Sequence, residues 1–319
     1  ITSLGIDAEK NLWIGTFGGG LNKMLFPQEE FISYQHKKND TNSISSNIIY
    51  DFVISKSGII WIATKNGLNR FDPESETITH YKYEPDNPNS LSRNKILNIE
   101  QDYTGDLWLS TDGLDHFICS KNKFVNYKHS PSKPLSVSAN GIYSLYHDNA
   151  GKIWIGTFGA GVNIYNRKRE KFKHYPPDPN DPNTVSHKYV WCFYQDKDGI
   201  VWIGTDNGLD KFDRKNETFT NYRHEEGNPK SLSRDRVWMI SPGKEGTLWL
   251  ATSDGLNRFD KKTEEFTRFY HQEGNPNTIN DSHVRDLYLD ADTVLWIATW
   301  GGGLDEFNLN TGKITHHVH

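Results

Sequence analysis

Five aromatic or basic residues stand at one fixed distance from a recurring tryptophan. Each lies eleven residues before a tryptophan in a repeated phrase, and they are Tyr50, Tyr143, Trp191, Trp238 and Arg285. Two of them are followed directly by a carboxylate, at Asp51 and Asp286. Aromatic rings stack on the apolar face of a sugar, and nearby polar groups bind its hydroxyls. This combination predicts a carbohydrate-binding site, with ring packing within the scaffold as the structural alternative.

Three glycine-rich turns add further rings. They read Phe17-Gly18-Gly19-Gly20, Phe158-Gly159-Ala160-Gly161 and Trp300-Gly301-Gly302-Gly303. The corresponding turns elsewhere are shorter, as in Lys65-Asn66-Gly67. Because only some repeats carry the enlarged turn, we predict that Phe17, Phe158 and Trp300 belong to the ligand site.

A tryptophan repeat must position these residues. Seven tryptophans recur 46 to 48 residues apart, at Trp13, Trp61, Trp108, Trp154, Trp202, Trp249 and Trp296. A period in the forties with strand-like text indicates a radial or stacked repeat architecture. The surrounding phrase barely changes between repeats, so we expect these tryptophans to be structural.

One repeat reads as four short strands. In the fourth repeat they are expected over 142–147, 152–157, 162–166 and 171–175, with Gly, Asn and Asp between them. Short strands with such turns are typical of antiparallel hairpins. We therefore predict an all-β fold, a seven-bladed β-propeller with four antiparallel strands per blade. A solenoid is the competitor, but no end repeat resembles a polar cap.

The repeat boundaries predict a single propeller over residues 1–319. The blades are expected near 1–36, 47–83, 94–129, 140–175, 188–224, 235–271 and 282–319. In this arrangement the predicted ligand residues lie at the start of the innermost strand, and the enlarged turns lie on the same face. Both groups therefore converge on the mouth of the central channel.

Composition limits the classes of partner. The formal charge is −5 with 24% charged residues and no basic stripe, so nucleic acid is not expected. No apolar run approaches the roughly 20 residues of a membrane span, so no membrane contact is expected. The chain opens at Ile1 without Met, which favours a fragment or processed product. Cys119 and Cys192 occupy non-equivalent repeat positions and predict neither a disulfide framework nor a zinc site.

Catalytic, metal and cofactor motifs are not found in the sequence, so we predict no catalytic residue, no metal site and no cofactor. The loops 86–89 and 178–181 could bind calcium in principle, although Asn-Pro and Asp-Pro are ordinary turn formers. The histidines of the fourth strands and their tails, such as His36, His129, His224 and His319, are expected at the surface.

Two other functions remain open. A propeller lyase acting on a polysaccharide or a cyclic peptide would need a histidine at the channel mouth, for which His283 with Arg285 and His187 with Tyr189 are the candidates. An excised or engineered repeat scaffold would serve protein contact only.

Several phrases are similar to a known repeat. They include Gly67-Leu68-Asn69-Arg70-Phe71-Asp72, Gly255-Leu256-Asn257-Arg258-Phe259-Asp260 and the loop Asn87-Pro88-Asn89-Ser90-Leu91-Ser92. Together they resemble the two-component regulator propeller repeat over the whole chain. The third repeat departs from it, with a shortened turn and Asp115-His116-Phe117.

The resemblance implies a non-catalytic sensor region of a bacterial hybrid histidine kinase. Such regions lie outside the cytoplasm, in the periplasm, as part of an inner-membrane receptor. The implied ligand is a small carbohydrate or glycan fragment. The implied partners are other domains of the receptor, namely a second propeller and an immunoglobulin-like domain, and a dimer partner.

Overall fold

Seven four-stranded antiparallel sheets make up the fold. The computed structural model describes residues 1–26, 28, 30–167, 169–291 and 293–317. Each sheet consists of four strands that are consecutive in the chain, paired in sequence order. The predicted seven-bladed β-propeller with four antiparallel strands per blade is therefore confirmed.

The chain divides into two compact units. The N-terminal unit comprises Thr2–Gly159 and Asn163–His174, and the C-terminal unit comprises Ile1, Ala160–Val162 and Tyr175–His319. Blades one to four fall essentially in the first unit and blades five to seven in the second.

The first four blades contain sixteen strands and one 3₁₀ turn, η1 (Cys119–Lys121). The strands are β1 (Ser3–Ile6), β2 (Leu12–Gly15), β3 (Leu21–Leu25), β4 (Glu30–Tyr34), β5 (Ile49–Ile54), β6 (Ile60–Thr64), β7 (Gly67–Asp72), β8 (Thr77–Tyr81), β9 (Asn98–Gln101), β10 (Leu107–Thr111), β11 (Gly113–Ile118), β12 (Lys123–Tyr127), β13 (Ile142–His147), β14 (Ile153–Thr157), β15 (Val162–Asn166) and β16 (Lys171–Tyr175).

Blades five to seven contain twelve strands and the 3₁₀ turn η2 (Lys244–Gly246). The strands are β17 (Val190–Gln195), β18 (Val201–Thr205), β19 (Gly208–Asp213), β20 (Thr218–Tyr222), β21 (Val237–Pro242), β22 (Thr247–Thr252), β23 (Gly255–Asp260), β24 (Glu265–Phe269), β25 (Val284–Asp290), β26 (Val294–Thr299), β27 (Leu304–Asn308) and β28 (Ile314–His317).

The repeated tryptophans are core residues, as predicted. All seven are buried, with at most 6% of the side chain exposed. In four blades the indole Nε1–H also donates to the aspartate of the preceding hairpin turn, at 2.7–3.0 Å, and these aspartates are Asp7, Asp102, Asp148 and Asp196. This aspartate therefore ties the hairpin of the first two strands to the core, within an Asp-x-x-Gly-x-x-Trp phrase in blades three, four and five and with Lys10 in place of the glycine in blade one.

The histidines that follow the fourth strands hold the connecting loops. Nδ1 of His36, His129, His224 and His271 lies 2.8–2.9 Å from a backbone carbonyl oxygen eight residues further along the chain. These side chains lie at the surface, as expected, but they also have a structural role that the sequence alone did not reveal. His319 lies outside the described residues.

A β-bulge interrupts the innermost strand of five blades. In blades two, four, five, six and seven the register against the second strand shifts across a single residue near the start of the inner strand. The five bulged residues are Tyr50, Tyr143, Trp191, Trp238 and Arg285. A bulge leaves one residue outside the ladder and turns its side chain in a new direction. The predicted ligand residues are thus the ones that the sheet does not pair.

Candidate functional site

The C-terminal unit joins four of the predicted site residues in one row. The rings of Trp191 and Trp238 are 4.6 Å apart between centroids, at 59°. The guanidinium of Arg285 lies 4.0 Å from the Trp238 ring centroid and 5.3 Å from that of Trp300. We call Trp191, Trp238, Arg285 and Trp300 the tryptophan–arginine row. It runs through the bulges of three consecutive blades and ends on the enlarged turn of blade seven.

A carboxylate and a second arginine brace one end of this row. Asp206, in the turn between β18 and β19, accepts a 2.7 Å hydrogen bond from the Trp191 indole. Arg236 donates to both oxygens of the same carboxylate, at 2.5 and 3.1 Å. Its guanidinium also lies 5.1 Å from the Trp238 ring centroid. A bidentate guanidinium–carboxylate pair has a defined geometry, so it orients both indoles of the pair.

The other end of the row is open. The Trp300 side chain is 70% exposed, and its backbone N–H donates to the carbonyl of His283 at 2.9 Å. This bond connects the enlarged turn to the segment that precedes β25. The exposed indole is therefore held beside Arg285 by the backbone.

The N-terminal unit presents its rings as two pairs instead. Phe17 meets Tyr50 edge-on at 6.1 Å, and Phe158 meets Tyr143 at 5.4 Å. Phe17 and Phe158 are 65% and 47% exposed. Burial raises the pKa of Tyr50, with a smaller contribution from the phenol of Tyr143. Each enlarged turn thus places its ring against the bulged residue of an inner strand, as in blade seven.

Blade three separates these pairs and brings positive charge. At the position eleven residues before the tryptophan, where five other blades have a bulge, blade three has Leu97. Its turn between the second and third strands is only Asp112 and Gly113. A cleft of about 500 Å³ opens beside this short turn, and Arg93, Lys95 and Lys128 line it. The Lys95 ammonium lies 5.4 Å from the Tyr50 ring centroid.

The two predicted carboxylates have structural contacts. Each accepts a hydrogen bond from the next backbone N–H, Phe52 on Asp51 at 2.8 Å and Leu287 on Asp286 at 2.9 Å. Asp51 also accepts from the Asn98 side chain at 2.6 Å and from the backbone of Ile99 at 3.1 Å. The Asp51 carboxylate thereby links blade two to blade three. The ligand-binding role that the sequence suggested for it stays a prediction.

The histidines considered for lyase chemistry are held by their own segments. The His187 ring packs edge-on to Tyr189 at 5.0 Å, and its Nδ1 accepts from the Tyr189 backbone at 3.2 Å. Burial lowers the pKa of His187. Nδ1 of His283 lies 3.4 Å from the Asp281 carboxylate.

Sequence reasoning missed Arg236, Asp206 and Lys95. Arg236 and Lys95 share a second variable column, thirteen residues before the tryptophan, which otherwise holds Ile48, Gly141, Tyr189 and His283. This variation in residue type could have identified the position as part of the candidate site. The Asp206 contact is different, because it depends on a side chain reaching from the turn of one blade to the next.

Chemically, the tryptophan–arginine row combines an exposed indole face with guanidinium donors. Such a surface stacks on the apolar face of a ring and donates hydrogen bonds to oxygen atoms around its edge. The N-terminal pairs offer ring faces and phenol hydroxyls, with lysine and arginine nearby.

Comparison with known sequences identifies the repeat. The two component regulator propeller family matches residues 136–159, 184–207 and 278–301. These segments lie in three different blades, and each extends from a connecting loop into the second strand or the turn after it. No match was found among curated proteins.

Solved structures of similar fold include parts of bacterial receptors. The extracellular domain of a putative hybrid two-component system from B. thetaiotaomicron is 28% identical, with a TM-score of 0.79, and the match covers 95% of this chain and 39% of that one. The extracellular domain of a putative one-component system from the same organism is 20% identical with a TM-score of 0.67, covering 100% and 49%. The present chain therefore spans less than half the length of these two structures.

Virginiamycin B lyase from Staphylococcus aureus has the same fold. It is 16% identical, with a TM-score of 0.63, and the match covers 85% of this chain and 84% of the lyase. At this identity the likeness concerns the fold alone.

Within the described part of the chain, no helix has the length and hydrophobicity needed to cross a lipid bilayer. The repeat phrases recur in all seven blades, three of them match the family directly, and the most similar of the receptor domains described above shares this architecture over nearly the whole chain. Three segments of this chain therefore match the two-component regulator propeller family, and its fold is similar to that of an extracellular domain of a putative hybrid two-component system.

Proposed function

We propose that this chain is a non-catalytic ligand-sensing propeller of a bacterial two-component receptor, and that it recognises a carbohydrate at the tryptophan–arginine row. The observation that carries the proposal is the continuous contact of Trp191, Trp238, Arg285 and Trp300 through three successive blades. The extracellular receptor domains of similar fold support the sensory role.

The geometry fits a sugar because its parts are fixed before binding. Arg285 lies between two indoles, so its guanidinium loses little conformational freedom when a ligand arrives. The exposed face of Trp300 provides a stacking platform, and the guanidinium N–H groups of Arg285 are donors for the oxygen atoms of a bound ligand. A pyranose presents both an apolar face and a rim of hydroxyls, and this surface is complementary to both.

As part of such a receptor, the chain would act outside the cytoplasm. It would pass ligand occupancy to other domains of the same receptor, for which a second propeller and an immunoglobulin-like domain are the proposed neighbours, or to a dimer partner. The signalling chemistry would then belong to those other parts.

Isothermal titration calorimetry against a panel of oligosaccharides tests this proposal. We expect at least one glycan to bind, and the Trp191→Ala/Trp238→Ala double variant to lose at least tenfold in affinity. The matched control is Phe31→Ala, which removes an exposed ring from the outer strand β4 of blade one, outside both the row and its neighbouring turns. Equal affinity in the wild type and the double variant would show that the row is not the site, and failure of every glycan would reject carbohydrate sensing.

A further inference from the structure

A second cleft lies at the other end of the inner strands from the bulges. It opens in the N-terminal unit at the hairpin turns of blades three and four, with a volume of about 740 Å³. Its polar and aromatic lining consists of Tyr103, His147, Asn149, Lys152, Asn166 and Arg167. Tyr143 is the second residue of β13 and His147 its last, so roughly 13 Å of strand separates this cleft from the bulge of the same blade, at about 3.3 Å per residue.

An imidazole in the cleft wall lacks a partner. Nε2 of His147 is buried and has no hydrogen-bond partner among the described residues. Burial lowers the pKa of His147, so the ring is neutral at neutral pH and one of its nitrogens can accept a hydrogen bond. Leaving a buried polar atom unpaired costs free energy, which a bound ligand would recover.

An exposed aromatic ring stands against this imidazole. The Tyr103 ring centroid is 5.3 Å from that of His147, and 70% of the tyrosine side chain is exposed. A Cβ atom at Gly151 would lie 3.1 Å from the Tyr103 ring, so the glycine allows the ring to lie on the turn of blade four. The ring is thereby held in position while most of its surface stays accessible.

Two cations complete the lining. Arg167 pairs with the buried carboxylate of Asp102, and its guanidinium lies 5.7 Å from the Tyr103 ring centroid. The Lys152 ammonium has no carboxylate within 4 Å in the described part of the chain. One ion-paired and one unpaired positive charge therefore line the same cleft.

The other repeats serve as internal controls for this chemistry. The position of His147, seven residues before the tryptophan, holds Ile6, Ile54, Gln101, Gln195, Pro242 and Leu289 in the other blades. The position of Tyr103, five residues before it, holds Ala8, Lys56, Asn149, Lys197, Lys244 and Ala291. Since the same hairpin forms in six blades without each of these residues, and in five without either, blade structure does not require them.

We infer that this cleft is a second ligand site, which binds a small ring compound carrying an anionic group. The ring would stack on Tyr103, the anionic group would lie by Lys152 and Arg167, and a hydroxyl of the ligand would donate to His147. This site is independent of the tryptophan–arginine row, which lies in the other unit. The shared chemistry fits an acidic sugar or an aromatic acid.

Ligand-observed NMR and calorimetry on the full chain distinguish these sources. The probes are glucuronic acid and 4-hydroxybenzoate, each paired with a neutral counterpart, glucose and 4-hydroxybenzyl alcohol. We expect at least one acid to bind at least fivefold more tightly than its neutral counterpart. Binding of only one acid would identify the source, and equal binding of acid and neutral probes would overturn the inference.

Two substitutions assign the binding to this cleft. Lys152→Gln should remove most of the preference for the acid, and Tyr103→Ala should weaken both members of the pair at least fivefold. Tyr103 is exposed and Lys152 is half-buried outside the core, so we expect both variants to fold, and thermal unfolding would check this. Trp238→Ala is the control and should leave acid binding unchanged. Acid binding that survives both cleft substitutions, or that disappears in Trp238→Ala, would refute the second site without deciding whether the row binds glycans.

Discussion

The two units carry aromatic side chains at equivalent repeat positions but arrange them differently. In the C-terminal unit Trp238 touches both Trp191 and Arg285, so consecutive blades share one surface. In the N-terminal unit Tyr50 meets the ring of Phe17 and Tyr143 meets the ring of Phe158, so each bulged tyrosine packs against an enlarged turn. Leu97 of blade three stands between them in the repeat order.

The difference shows that a single blade can divide or join a surface. In the C-terminal unit the indole of Trp238 reaches the bulged residue of the next blade, Arg285. In the N-terminal unit the blade after Tyr50 has Leu97 at the corresponding position, so no ring follows the tyrosine there. Pre-organisation also differs, because Asp206 fixes Trp191 and Arg236 together. We therefore expect most of the binding free energy to come from the C-terminal unit.

The largest expected effect comes from removing the central aromatic residue of the tryptophan–arginine row. Trp238→Ala removes the centre of the row and should weaken glycan binding by about 30-fold, since truncating a central aromatic residue costs roughly 2 kcal/mol or more. Tyr143→Ala should weaken it by no more than about threefold, which is under roughly 0.7 kcal/mol. Calorimetry with the tightest glycan measures both, and a larger loss in Tyr143→Ala would reverse the ranking of the two units.

The brace of the row gives a smaller effect. Asp206→Asn removes the charge that holds Arg236, and a partly exposed ion pair contributes up to about 1 kcal/mol, or roughly fivefold in affinity. Asp254→Asn is the matched control, because Asp254 lies 3.7 Å from Arg234 in the corresponding turn of blade six and touches no member of the row. Similar affinities for the two variants would mean that the brace does not organise the site.

Adding an aromatic ring in blade three tests whether the N-terminal unit can contribute to binding. Leu97→Tyr places a ring between the two N-terminal pairs, and an aromatic contact contributes about 0.5–1.5 kcal/mol. We expect glycan affinity to rise about two- to threefold, the lower end of this range, if the enlarged surface is used. The same substitution combined with Trp238→Ala shows whether the N-terminal unit can replace the row, and an unchanged affinity in both backgrounds would exclude it from binding.

The smallest expected effect concerns a carboxyl that only blade three carries at its repeat position. Burial raises the pKa of Glu100 to about 8, although its bond from the His147 backbone acts in the opposite direction. The folded state therefore keeps the proton up to about pH 8, while the unfolded chain loses it near its ordinary value of about 4.3. Stability consequently falls as pH rises between these values and is level above them.

Glu100→Gln should remove this dependence. The variant should unfold at the same temperature as the wild type near pH 4 and at a higher temperature at pH 8, because the buried carboxylate that the wild type would form there is replaced by a neutral amide. Differential scanning calorimetry across this range checks the sign. Tyr194 and Tyr288 hold the equivalent positions in blades five and seven, so no matching carboxyl effect is expected there.

The fold could be read from the sequence because one phrase repeats. The four strands expected in blade four differ from those observed only at the start of β14, which begins at Ile153. The same repetition exposed the bulge column, since residues that vary among otherwise equal blades stand out. The side-chain contacts around these residues could not be predicted from the sequence. A contact such as that of Arg236 with Asp206 joins residues 30 positions apart in different blades.

Asp51 illustrates a second reason. Its type and position suggested a polar contact with a ligand, but the sequence does not show that Asn98 donates to it from the next blade. The histidines of the fourth-strand tails are similar, since their bonds to the carbonyls of the connecting loops depend on how the loop turns back. Such local pairings require coordinates.

The bulges have a consequence for how a family of such chains can diversify. A residue outside the ladder can be replaced without disturbing the neighbouring pairs, and the core beneath it keeps its own residues. This chain already holds tyrosine, tryptophan and arginine in that place. One position per blade could thus be varied in a combinatorial library, giving receptors of different specificity on an unchanged frame.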